Sequence, residues 1–290
     1  MLKYIFKAMR PRQWTKNGFI FAAIVFDRKL LDLVSFERTL VTFILFCLLS
    51  SSVYLINDIM DVEADRNHPI KKNRPIASGK LSVRLAIIAG IILLLISLTG
   101  AYFLSIGLTI IFAIYFLLNL AYSKWLKHFP IIDVLVIAAC FVLRVAAGVS
   151  VIDVQRFSPW LYVVTTLLAL YLGFGKRRAE MVVLVPENTQ SHRKVLSGYS
   201  IDLIDQLITI VSSTTIIAYS LYTFSAPNLP ANHAMMLTIP FVIYGVFRYL
   251  SLIQIKKAGG EPEELLLKDR PLQITILLWA ISIVIIFYLF

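Results

Sequence analysis

The sequence is poor in charge. Only 16% of its 290 residues are Asp, Glu, Lys or Arg, against 59% hydrophobic residues and a mean hydropathy of +0.80. A soluble domain of this length carries far more charge, so lipid is the expected solvent for much of the surface. Acids are the scarcer sign, 17 against 28 bases, for a net charge of +11. In a membrane protein that excess belongs at the cytoplasmic rim, and it does not imply nucleic acid. Cysteine is nearly missing. Cys47 and Cys140 both lie in apolar runs, which leaves no disulfide framework and no zinc spacing. No cleavable signal peptide and no inverted repeat are visible in the chain.

What the sequence does have is long apolar runs. A spanning helix needs about 20 mostly apolar residues. Nine candidates follow: 17–34, 38–57, 82–104, 106–123, 131–151, 158–175, 203–224, 234–254 and 271–290. The first is the weakest, because Asp27, Arg28 and Lys29 interrupt its end. The expected fold class is thus all-α, a polytopic membrane protein forming a single domain over 1–290. Residues 1–16 interleave Lys3, Lys7, Arg10, Arg12 and Lys16 with Tyr4, Ile5, Phe6 and Trp14, the pattern of an amphipathic helix lying on the membrane surface. In this threading 22 of the 28 Lys and Arg fall on one side of the membrane. That bias predicts a cytoplasmic N-terminus and an external C-terminus at Phe290. The long polar connections are all on the cytoplasmic side, and chemistry is expected there.

The second span ends in NDIMDVEADRNHPIKKNRPIASG. Asn57, Asp58, Asp61 and Asp65 fall within about a quarter-turn of one helical face. Three carboxylates on one face repel one another unless a cation sits among them. Hard oxygens at this place suit Mg²⁺, usually held by a few carboxylates plus phosphate oxygens. A solvated acidic helix end is the bland alternative, but acids at membrane depth are costly and normally functional. Arg66, Lys71, Lys72 and Arg74 follow at once and can neutralise the same anionic ligand, and Lys71 and Lys72 read equally well as topology determinants.

Two further clusters belong to the same face. Tyr122, Lys124 and Lys127 close the fourth span, Asp133 opens the fifth, and Arg144 lies about three turns deeper. A lone Arg in an apolar helix either pairs with an acid of another helix or contacts an anionic ligand, and the sequence leaves both open. Arg144, Ala147 and Gly148 also mark a closely packed face. After the sixth span come Lys176, Arg177, Arg178 and Glu180, and before the seventh His192, Arg193, Lys194 and Tyr199. They read as an anion funnel or as topology determinants. The acidic stretch at 259–273 reads as a lid or a structural cap.

NDIMDVEADR, with RPIASG after it and the YSxxLK stretch from Tyr122 to Lys127, resembles the UbiA superfamily of intramembrane prenyltransferases. The resemblance covers essentially the whole chain. It implies nine helices around a central cavity, with Mg²⁺ bound at the first aspartate-rich motif. Ordinary members carry a second aspartate-rich motif between the sixth and seventh helices, for a second Mg²⁺ on a prenyl diphosphate. Here that loop reads GKRRAEMVVL, with bases in place of acids. In this respect, and in RPRQWTKN, KNRPIASG, LRVAAG, GKRRAE, HRKVL, PFVIYGVFRY and DRPL, the chain is similar to the decaprenyl-phosphate phosphoribosyltransferase branch.

That branch implies transfer of a 5-phosphoribosyl group from phosphoribosyl diphosphate (PRPP) to a polyprenyl phosphate, with release of diphosphate, in bacterial cell-wall biogenesis. Carried onto this sequence, Asp58, Asp61 and Asp65 would hold Mg²⁺, and Asp58, Asp61 and Arg66 would serve catalysis. Lys16, Asn57, Arg74, Tyr122, Lys127, Arg144, Lys176, Arg177 and Arg193 would bind substrate. A homo-oligomer stays open. The rival within the superfamily is an aromatic prenyltransferase joining a polyprenyl diphosphate to an aromatic acceptor; the basic loop argues against it. A transporter is a second rival, opposed by the clustering of polar residues at one face instead of the midplane.

Overall fold

The structure, a computed structural model, describes residues 2–67, 71–153, 159–184, 198–227, 229–255, 265 and 268–289. All regular structure among them is helical. In chain order the helices are α1 (Leu2–Ala8), α2 (Ala22–Phe26), α3 (Leu33–Met60), α4 (Val62–Arg66), α5 (Val83–Leu104), α6 (Ile106–Lys124), α7 (Ile132–Val149), α8 (Pro159–Leu184), α9 (Ile201–Ser225), α10 (Ile239–Gln254) and α11 (Arg270–Leu289). A 3₁₀ segment, Pro11–Phe21, leads into α2.

Seven of these, with the 3₁₀ turn Ala234–Thr238 extending α10, are long and apolar enough to cross a membrane among the described residues. They coincide with seven of the nine expected spans. The sixth expected span appears as α8, which is 26 residues long and runs on through GKRRAE to Leu184. The first is not one helix. Its residues form the 3₁₀ segment and the short α2, and the chain then turns at Arg28, whose φ is +58°. Arg28 donates to the Phe287 carbonyl and Lys29 to that of Asp153, so the interrupting charges are polar anchors that stop the helix. The expected surface helix over 1–16 also ends early, at Ala8. Pro11 disfavours the right-handed region for the residue before it, and Arg10 takes a left-handed conformation at φ +54°.

The described chain divides into two compact units. The first comprises residues up to Ile24, Lys29–Trp125 and Leu143–Asp153. Within it α3 packs along α5, and α1 sits on the end of both through Ala8, Leu55, Ile76, Leu81 and Ala86. Asp32 caps α3 by accepting from the Ser35 backbone N–H (3.1 Å) and hydroxyl (2.5 Å). Those bonds hold the Asp32 carboxyl below its usual range. Ile87, Ile88, Ile91, Ile92, Leu95 and Ile96 line an exposed apolar face of α5, as expected of a helix solvated by lipid.

The second unit comprises Val25–Arg28, Leu126–Val142 and residues from 154 onwards. Its core gathers Val134, Tyr171, Phe174, Ile204, Ile208, Val246 and Tyr249 from α7, α8, α9 and α10. Ser200 caps α9 through the Leu203 N–H at 3.1 Å. Asp269 caps α11 through the Leu272 N–H at 3.0 Å and also grips Arg248 by two bonds, of 3.1 and 2.8 Å. The RY and DRPL motifs are thereby joined, and the structural-cap reading of that stretch holds for its described end; Glu261, Glu263 and Glu264 lie outside the described residues.

Candidate functional site

The acidic motif lies in the first unit, at the C-terminal end of α3. The helix closes at Met60, Asp61 forms the joint, and α4 starts at Val62. The break is shallow. Asp61 N–H still bonds Asn57 O at 2.9 Å, and Asp65 N–H bonds Asp61 O at 2.8 Å, so the expected common face persists across the joint. Asp58 and Asp65 are buried and Asp61 is half-buried.

Arg74 joins the two buried acids. One guanidinium nitrogen lies 3.1 Å from Asp58 Oδ1 and 2.5 Å from Asp65 Oδ2. The RPIASG turn delivers it. Ile76 and Leu81 are sunk into the core, Ser78 N–H bonds Arg74 O at 2.9 Å, and Leu81 N–H bonds Pro75 O at 2.9 Å. Gly79 closes the turn at φ +74°, a conformation glycine adopts without steric cost. A second arginine meets the same carboxylate oxygen: Arg10 donates to Asp58 Oδ1, its guanidinium 5.0 Å from the Tyr54 ring centroid. Arg10 was not among the expected site residues. Its signal is the RPRQW string, where a base precedes a proline that fixes the backbone.

The rest of RPRQWTKN follows the same α3 face. Trp14 Nε1 donates to Ser51 Oγ at 3.1 Å. Asn17, fully buried, donates to Cys47 Sγ at 3.2 Å and Ser50 Oγ at 3.3 Å. Lys16 lies half-buried beside it. Asn17 Oδ1 accepts from Arg144 Nε at 2.9 Å. Arg144 also donates to Tyr115 OH at 3.0 Å and lies over the Phe46 and Tyr115 rings. Arg144 is thus held among buried polar and aromatic partners in this unit. Asn57, expected to orient a metal shell, accepts from the Ser123 hydroxyl, which ties the acidic motif to the YSxxLK motif. Tyr122 sits half-buried next to it. Arg66 is exposed and pairs with Glu63 at 2.8 Å.

Among the described residues no three His, Cys, Asp or Glu side chains gather closely enough to hold a metal unaided. The donor set still fits Mg²⁺, which is typically held by one or two carboxylates together with water and substrate phosphate. Asp58 and Asp65 already converge on one cationic centre, the Arg74 nitrogen.

The second unit carries the basic loop. Arg177 is buried and its Nε lies 2.6 Å from Asp133 Oδ2, while another nitrogen lies 2.5 Å from Glu180. Tyr199 OH donates to Asp133 Oδ1 at 2.8 Å and accepts the Ile131 N–H at 2.5 Å. That bond fastens Ile131 at φ +67°, an unusual value for a β-branched residue. Burial pushes the Tyr199 phenol above its usual range, so it stays a neutral donor. Arg178 grips Asp205 by two bonds, of 2.5 and 3.2 Å, and the Ile253 carbonyl at 3.2 Å. Arg177, expected to bind substrate, pairs here with two carboxylates of its own chain, an arrangement that favours a structural role. Lys127 and Lys176 are half-buried in this unit, and Arg193, with His192 and Lys194, lies outside the described residues.

The model of the UbiA prenyltransferase family matches residues 19–179, more than half of the chain. The chain belongs to that family. A UbiA homolog from Archaeoglobus fulgidus, solved bound to GPP and Mg²⁺, superposes with a TM-score of 0.76 at 19% identity, covering 98% of this chain and 99% of that one. The UbiA fold is therefore shared, and the chain is an integral membrane enzyme. Among curated relatives, the decaprenyl-phosphate phosphoribosyltransferase of Mycolicibacterium smegmatis is 36% identical over 294 residues, covering 95% of this chain and 89% of the relative. The enzyme of the same name from Corynebacterium glutamicum is 33% identical, covering 98% and 86%.

Proposed function

We propose that this chain transfers the 5-phosphoribosyl group of PRPP to a polyprenyl phosphate, decaprenyl phosphate in the named relatives, and releases diphosphate. One observation carries the reading: a UbiA first motif stands intact at Asp58 and Asp65, while the place of the second motif is taken by Arg177 and Arg178, both in ion pairs with acids. A chain with one acidic site suits a donor with one diphosphate. The near full-length likeness to two enzymes of that name supports the same substrates.

Asp58 and Asp65, with Asp61 beside them, would hold Mg²⁺, which when bound neutralises charge on the departing diphosphate. Arg74 and Arg10 add cationic hydrogen-bond donors at the same oxygens. Asn57, held by Ser123, fixes the end of α3 against α6 and so fixes the carboxylates. The attacking oxygen belongs to a lipid phosphate that is already anionic, so no strong general base is needed. Catalysis then rests on positioning and electrostatic stabilisation of a C1 centre with oxocarbenium character. Lys16, Tyr122, Lys127, Lys176 and Arg193 are the proposed ligands for the phosphomonoesters. The site opens to the cytoplasm in a bacterial inner membrane, with the N-terminus inside and the C-terminus outside.

The test is purified enzyme in detergent with Mg²⁺, given labelled PRPP and decaprenyl phosphate, and in parallel a polyprenyl diphosphate with 4-hydroxybenzoate. Label passing from PRPP into organic-extractable lipid is the expected result, with inversion at C1. A prenylated aromatic instead would assign the chain to ordinary UbiA prenyl transfer.

A further inference from the structure

Two arginines engage the acids at the end of α3. Asp58 Oδ1 takes both Arg10 and Arg74, and Asp65 Oδ2 takes Arg74. Mg²⁺ demands oxygen ligands at about 2.0–2.1 Å in near-octahedral geometry. The lone pairs of Asp58 Oδ1 and Asp65 Oδ2 that hold the guanidinium groups are closed to a small cation while those bonds last, and the two guanidinium charges repel a cation at the other carboxylate oxygens. The two kinds of partner also differ in freedom. The Asp58 and Asp65 side chains are 2% and 4% exposed, whereas Arg10 and Arg74 are 28% and 27% exposed. The carboxylates are fixed, and the guanidinium ends can move. Arg10 has its backbone set by Pro11 and its guanidinium over the face of Tyr54, so a change of partner requires only side-chain rotation.

A displaced guanidinium must find another anion, because leaving two unpaired cations beside a divalent metal is unfavourable. A diphosphate supplies one. Its oxygens match the planar fork of arginine and bridge to a metal in the same step. We infer that Arg10 and Arg74 are exchange ligands: they hold Asp58 and Asp65 until metal and diphosphate arrive together, and then pass from the carboxylates to the diphosphate oxygens. Arg10 thereby becomes a diphosphate-binding residue. Metal alone binds weakly because it competes with two arginines, and diphosphate strengthens metal binding by removing the competitors. The inference rests on the diphosphate-and-metal reading of this site, but it holds equally for PRPP and for a prenyl diphosphate.

Mn²⁺ binding followed by electron paramagnetic resonance tests it without turnover, using full-length protein in detergent, with and without methylene diphosphonate as the diphosphate probe and with the Mn²⁺–diphosphonate complex subtracted. The wild type is expected to bind Mn²⁺ at least ~10-fold more tightly with the probe. The Arg10→Gln/Arg74→Gln double variant is expected to bind Mn²⁺ alone at least ~10-fold more tightly than the wild type, and to gain less than ~3-fold from the probe. If the double variant does not hold its fold, Arg74→Gln alone carries the same expectation with a rise of ~3-fold. Variants that bind bare Mn²⁺ no better than the wild type, or a probe effect equal in both proteins, would overturn the exchange. Because the probe carries no ribose and no prenyl chain, these results stand apart from the substrate assay: a prenyl-transferring enzyme would still show the exchange, and a phosphoribosyl-transferring one could lack it.

Discussion

Both units hold an arginine between acids, and they hold it differently. In the first, Arg74 and Arg10 reach buried Asp58 and Asp65 from positions about a quarter exposed. In the second, Arg177 is 1% exposed and Asp133 0%. Solvent reaches Arg10 and Arg74 and does not reach Arg177. The same ion-pair chemistry therefore serves exchange at the end of α3 and rigidity between α7 and α8. The lesson concerns burial: a basic residue in a functional-looking loop is a ligand only if its charge is reachable.

The sharpest way to break this comparison is Asp58→Asn. It is expected to lower phosphoribosyl transfer by ~10³-fold in a protein with a near-normal melting temperature, because it removes charge stabilisation of the leaving group while the freed arginines stay partly solvated. The second unit should respond the opposite way. Arg177→Met leaves the buried Asp133 charge without its counter-ion, with the neutral Tyr199 hydroxyl still donating to it, and should destabilise by ~3–5 kcal/mol, whereas Asp133→Leu combined with Arg177→Met should recover most of that loss. Thermal unfolding in detergent reads both.

Packing offers a smaller contrast. A Cβ at Gly148 would stand 2.1 Å from the backbone oxygen of Ile20, which cannot move aside, whereas at Gly173 it would meet the Val134 side chain at 2.7 Å. Gly148→Ala should therefore cost ~1–3 kcal/mol and Gly173→Ala less, as judged by melting temperature. The smallest effect belongs to Arg66→Ala. Its exposed pair with Glu63 contributes ~0–1 kcal/mol, and activity should fall by no more than a few-fold.

These contrasts also mark what the sequence made legible. Apolar runs located seven spans closely, because a lipid-facing helix must satisfy its backbone internally and so must be long and apolar. The N-terminal run misled because hydropathy does not register a left-handed residue before a proline or charges that anchor a turn. At the site, the spacing of Asp58, Asp61 and Asp65 was readable from helical periodicity. The partners were not. Arg10 lies 48 residues from Asp58 in sequence and Arg177 lies 44 from Asp133. No local pattern says which base closes on which acid, so neither pair is readable from the sequence.

The most direct measurement is transfer of label from PRPP to decaprenyl phosphate by two folded variants side by side, Asp58→Asn and Asp133→Leu/Arg177→Met. Loss of transfer in the first with substantial transfer retained in the second is the predicted result. Transfer that survives Asp58→Asn, or that vanishes in a stable double variant, would contradict the assignment of catalysis to the α3 acids and of structure to the buried arginine.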